Sequence, residues 1–217
     1  MKIIKNPSQE TWEEVLKRPT QTIDDIEATV NEIFAEVKSK GDQAIAKYTS
    51  LFDGISLANM EVSTEEMQQA QKEISTELKE AIQLAKDNIT KFHAAQKTDR
   101  VEVETQNGVK CWQEKRPIQK VVLYIPGGSA PLFSTILMLA VPAQLAGSQE
   151  IVLCTPPDKN GKINPAILYT AHLCGVTKIF KVGGIQAIAG LTFGTKTIPQ
   201  VYKIFGPGNQ FVTVAKQ

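Results

Sequence analysis

Three glycine-bearing stretches hold the residues whose types and spacing could do chemistry: IPGGSAP at 125–131, VGGIQ at 182–186 and FGPGNQ at 205–210. Each follows a short apolar run and leads into a segment with helical spacing. Glycine lets backbone approach a ligand closely, and the first turn of a helix offers unpaired N–H groups carrying partial positive charge, a pairing suited to phosphate or pyrophosphate. A single loop of this kind means little. Gly127, Gly128, Gly183, Gly184, Gly206 and Gly208 gathered on one sheet edge would form a nucleotide cradle, with tight-turn geometry as the alternative explanation. Neither the GxGxxG fingerprint nor the GxxxxGK[ST] phosphate loop occurs, which disfavours a conventional dinucleotide fold and a phosphate-loop nucleotidase.

The polar side chains expected at the same edge are Tyr124, Ser129, Thr155, Gln186 and Asn209, and none titrates near neutral pH. A hydride-transfer enzyme that oxidises an alcohol needs a base for the hydroxyl proton, and often a metal to lower its pKa. Neither is visible. His93 and His172 fall in amphipathic helical patterns without ligand partners at metal spacing, so surface positions are expected for both. Asp158, a conceivable ribose partner, opens DKNG, which reads as a turn. Cys111, Cys154 and Cys174 are widely spaced, which fits reduced, buried thiols better than disulfides. A cysteine nucleophile would need a loop or helix start, whereas Cys154 falls in a strand and Cys174 in a helix. The segment therefore reads as a binding half without a catalytic half.

The elements that must position these residues are legible from periodicity. Apolar strands are expected at 121–125, 151–155, 178–182 and 202–205, separated by helices starting near Leu132, Pro165 and Ile185, with a final helix near Asn209. Strand and helix alternating in this way feed a parallel sheet, and right-handed crossovers put all the following loops on one edge. Upstream, Ser8 caps a short helix ended by Pro19. A helix from Thr22 carries Ile26, Val30, Ile33, Phe34 and Val37 on one face. A second from Asp42 to Gly54 buries Ile45, Tyr48, Leu51 and Phe52. Ser63 and Glu66 form a capping box opening one long helix with Met67, Ile74, Leu78, Ile82, Ile89 and Phe92 in a stripe. Asn107-Gly108 then turns a β-hairpin. The expected organisation is an N-terminal helical arm at 1–19, an incomplete helical and hairpin domain at 20–120, and a Rossmann-like α/β domain at 121–217.

The 217 residues are 42% hydrophobic and 22% charged, the balance of a globular chain, with a net charge of +1. Scattered basic residues give no footprint for nucleic acid, and no apolar run approaches the roughly 20 residues needed to span a bilayer. A cytoplasmic protein is expected. The last helical pattern stops at Gln217 without cap or closing strand, which suggests truncation.

At the glycine loops the sequence becomes specific. VVLYIPGGSAPLFSTILMLAVPAQLAG, IVLCTPP, VGGIQAIAGLTFGT and VYKIFGPGNQFVTVAK, with GDQAIAKYTSLFDG at 41–54, resemble the histidinol dehydrogenase family in order and spacing. The resemblance implies a cytoplasmic, zinc-dependent homodimer that oxidises L-histidinol to L-histidine in two NAD-dependent steps through the aldehyde. It also implies Rossmann-like α/β domains related to aldehyde dehydrogenases, and NAD contacts at Tyr124, Gln186 and Asn209. For Tyr124 a core strand position is the alternative. Tyr202 and Ile185 stand where the family usually has aspartate and alanine. The family's zinc, substrate and catalytic residues would lie beyond Gln217, so such a chain alone would be inactive, and bare apolar helix faces would make it self-associate. A complete, non-catalytic nucleotide-binding or interaction module is the alternative from a different class.

Overall fold

Strands that read as near-continuous Val, Ile and Leu need cover on both faces, and a computed structural model supplies it. The structure describes residues 3–17, 23–128 and 130–217. Four parallel strands, β3 (Lys120–Tyr124), β4 (Glu150–Cys154), β5 (Lys178–Phe180) and β6 (Lys203–Phe205), make one sheet in the order β5-β4-β3-β6. Alternate residues serve opposite faces. Val121, Leu123, Ile151, Leu153 and Ile179 join a core with the crossover helices α6 (Phe133–Ala146) and α7 (Pro165–Leu173), while Val122, Tyr124, Val152, Cys154 and Phe180 join another with α8 (Gly184–Phe193).

The N-terminal helices complete both layers. On the α8 side lie α2 (Ile23–Lys40) and α3 (Asp42–Asp53), and with them α9 (Gln210–Ala215). On the other side α4 (Thr64–Glu73) packs on α7 and α5 (Thr76–Ala94) on α6. Packing thus crosses position 120, and Ile26, Val30, Ile33 and Val37 are buried against the sheet layer rather than bare. Residues 60–62 run antiparallel along β5, Val62 N–H donating to Ile179 O at 2.9 Å, which covers that sheet edge. A short helix, α1 (Trp12–Leu16), precedes these layers, and the exposed hairpin β1 (Glu102–Gln106) and β2 (Val109–Trp112) turns at Asn107-Gly108 as expected.

Several expectations need correction. The long helix from Ser63 is two helices. The capping box forms, but Ile74 is extended (φ −92°, ψ 132°) and buried, and Ser75 caps a fresh helix by accepting from Leu78 N–H. A second N-cap serine inside a helical stripe was the overlooked signal. Leu51 and Phe52 are exposed, because the buried face of α3 is Ala44, Ile45, Tyr48 and Thr49. Phe92 is exposed too. Cys111 is exposed, since both faces of its hairpin meet solvent. Ser8 makes no side-chain cap, a 3-10 turn (Gln9–Thr11) intervening before α1. Pro19, Thr22 and Ser129 lie outside the described residues.

Candidate functional site

From β3 the chain moves outward through β4 to β5, then α8 carries it back across the opposite face to β6 on the far side of β3. The sheet therefore has a topological switch point between β3 and β6, the place where open α/β sheets leave a crevice beyond the carboxyl ends of their strands. Tyr124 ends β3 on one side of it. On the other, Gly206 follows β6 and Asn209 caps α9, its Oδ1 accepting from Val212 N–H at 3.0 Å.

The loops pack on one another. A Cβ at Gly127 would lie 2.7 Å from Pro156 Cγ, and one at Gly183 would lie 2.7 Å from Pro156 Cβ, so both loops close on the same proline after β4. Gly206, at φ 133°, leaves no room for a side chain, which would collide with the Tyr124 carbonyl. Gly208 is pressed against Val212, and Gly128 faces open space. Gly184 begins α8 and donates its N–H to the Tyr124 hydroxyl at 3.0 Å.

Tyr124 is thus a buried core residue with a protein partner for its hydroxyl. Burial, and to a smaller degree the nearby Cys154 and Asp53, push its pKa up to about 12 despite the Gly184 N–H. Gln186 is different. It is fully buried in the first turn of α8, its Oε1 folded back against Gly184, and neither its Oε1 nor its Nε2 has a hydrogen-bond partner. A buried amide left unpaired costs about 1–3 kcal/mol, so Gln186 is the orphan that a ligand would satisfy. Sequence reasoning missed a cation: Lys216 donates to Gly206 O and its Nζ lies 5.8 Å from the centre of the Tyr124 ring. Desolvation lowers its pKa.

Gly127 and Gly128 also line a separate cleft of about 610 Å³ with Thr155, Pro156, Asp158, Asn164 and the α4 carboxylates Glu65 and Glu73. Tyr124, Gln186 and Asn209 do not line it. Asp158 is a turn residue, its Oδ1 accepting from the N–H groups of Asn160 and Lys162, each at 2.8 Å. Burial pushes the Cys154 thiol up to about 12 and the Cys174 thiol to about 11, so neither is an activated nucleophile. His172 is exposed, Ile185 lies in the core from the first turn of α8, and Tyr202 is exposed. Among the described residues no three His, Cys, Asp or Glu side chains converge to hold a metal ion, and no helix is long and apolar enough to cross a membrane.

The family model described as histidinol dehydrogenase matches residues 16–217. The chain is 58% identical over 217 residues to a histidinol dehydrogenase of Bacteroides thetaiotaomicron, covering all of this chain and 51% of that protein. With the histidinol dehydrogenase of Escherichia coli strain K12 it shares 52% identity over 209 residues, 96% of this chain and 47% of that one. The crystal structure of histidinol dehydrogenase from Elizabethkingia anophelis superposes with a TM-score of 0.88 at 53% identity, covering 98% of this chain and 49% of that one. The chain spans about half the length of the curated relatives it matches.

Proposed function

Because this chain belongs to the histidinol dehydrogenase family, we propose that it forms the nucleotide-binding part of a cytoplasmic enzyme that oxidises L-histidinol to L-histidine in two NAD-dependent steps through L-histidinal. Gln186 carries this reading, since both of its amide atoms are buried and unpaired beside the switch-point crevice. A nicotinamide dinucleotide held by Gln186 and Asn209 would supply the hydride acceptor for both oxidations. This chain's residues bind and orient. Gln186 offers one donor and one acceptor to the cofactor, and the Asn209 amide N–H groups remain available because its Oδ1 is committed to the α9 cap. Tyr124 holds the first turn of α8 in place through Gly184, and Gly206 and Gly208 let the loop after β6 close on Tyr124 and Val212. Gly127 and Gly183 close the adjoining loops on Pro156, and Gly128 leaves the space beside them open.

Among the described residues no set of side chains fits a zinc site. Homodimerisation belongs to the same reading, and the exposed apolar residues of the hairpin, Val103, Val109 and Trp112, support it. Calorimetric titration of NAD into the chain and its Gln186→Ala and Asn209→Ala variants tests the assignment. Weaker binding in both variants is expected, and equal titrations for all three would remove these contacts.

A further inference from the structure

Helix α3 runs antiparallel to α8. Asp42 Oδ2 accepts from the Thr197 hydroxyl at 2.7 Å beyond the C-terminal end of α8, and a Cβ at Gly190, one turn inside it, would meet Ile45 Cδ1 at 2.8 Å. Residues four apart share a helix face. Ile45, Thr49 and Asp53 therefore form one stripe on α3, and Gly190 and Gln186 form the facing stripe on α8. At about 1.5 Å per residue, Thr49 comes level with Gln186, and Asp53 lies about one turn further on, in front of the α8 N-terminus.

Asp53 Oδ2 is buried and has no hydrogen-bond partner. Burial raises its pKa, and its charge is felt at the Tyr124 hydroxyl. Among the described residues no cation pairs with it. An unpaired carboxylate and an unpaired amide, one on each helix, thus face the same helix N-terminus, which is otherwise a site for anions. A carboxylate there repels phosphate and accepts hydrogen bonds from hydroxyl groups.

We propose that Asp53 is a specificity-determining residue whose carboxylate accepts the 2′- and 3′-hydroxyls of a dinucleotide ribose and rejects a ribose bearing a 2′-phosphate. The inference rests on the reading of the crevice as a nicotinamide-dinucleotide site. Its chemistry is that of the acidic residue that discriminates the unphosphorylated ribose in Rossmann folds, delivered here from a helix outside the sheet.

The test is calorimetry of the full chain with NAD and NADP, alongside Asp53→Asn, which keeps size and shape but removes the charge. Circular dichroism confirms equal helix content. The native chain should bind NAD at least about tenfold more tightly than NADP, the value of one charge-assisted hydrogen bond. Asp53→Asn should weaken NAD, tighten NADP through loss of the repulsion, and so erase the preference. A native chain that binds NAD, with a variant keeping the same NAD-to-NADP ratio, overturns the role of Asp53 and leaves the site intact. Failure of the native chain to bind NAD removes the site reading itself, and this inference with it.

Discussion

The Tyr124 hydroxyl accepts the backbone N–H of Gly184 at 3.0 Å, joining the last residue of β3 to the first of α8 across 60 positions of sequence. That bond places the first turn of α8 beside the end of the strand around which the sheet topology reverses. Among the described residues the hydroxyl proton has no protein acceptor.

Tyr124→Phe should therefore leave the Gly184 N–H unpaired in a part-buried place. We expect a loss of about 1–3 kcal/mol in urea unfolding, together with weaker NAD binding through disorder of the first turn. An unchanged midpoint would mean that water replaces the hydroxyl at no cost.

Gly206 and Gly128 should respond oppositely to alanine. Gly206→Ala forces a Cβ into the Tyr124 carbonyl at a backbone angle of 133°, and should cost about 2 kcal/mol or more. Gly128→Ala meets nothing within 4 Å and should change stability by less than about 0.5 kcal/mol. Thermal melts of the two variants side by side check the contrast.

Asn209 has two duties that substitution can separate. Asn209→Ala removes the α9 cap and should cost about 1 kcal/mol. Asn209→Asp retains an acceptor for Val212 N–H but lacks the amide donors, so it should melt like the native chain while binding NAD more weakly. If both variants bind NAD alike and like the native chain, the amide is a cap alone.

Glu36 sets an acid limit on the fold. Its carboxylate accepts from Lys47 at 2.6 Å, from the Tyr48 hydroxyl at 2.6 Å and from Lys40 at 2.9 Å, and these partners lower its pKa from 4.5 to about 2. A carboxylate with a depressed folded pKa contributes stability that is present above 4.5 and lost as pH falls through 2. Glu36→Gln should flatten the decline of the urea midpoint between those pH values. A decline as steep as the native one would exclude this cluster as its source.

Much of this architecture was readable from residue order. The parallel sheet followed from four apolar runs between glycine loops and helical patterns; of its glycine loops, those at Gly127 and Gly183 meet on Pro156, while Gly206 packs on Tyr124. Asn107-Gly108 and the Ser63 capping box were equally local signals. The break at Ile74 was hidden because its side chain is buried and continues the apolar stripe, so periodicity passed straight through the interruption. Asp53 and Lys216 were invisible for another reason. Asp53 ends α3 and Lys216 follows α9, and the packing of each helix, not its own sequence, decides which residue comes near Tyr124. Glycine spacing likewise could not distinguish the crevice from the neighbouring 610 Å³ cleft, because Gly127 and Gly128 border the latter while Gly206 borders the former.

The most direct test of the central claim uses Gln186→Leu, which keeps the volume of the side chain and removes its two unpaired polar atoms. Without ligand, the variant should melt at or above the native temperature, stabilised by about 1 kcal/mol through relief of the buried amide. Saturating NAD should raise the melting temperature of the native chain and leave that of the variant almost unmoved. Equal NAD-induced shifts in the two proteins would contradict the assignment of Gln186 to the cofactor, and with it the crevice between β3 and β6 as the binding site.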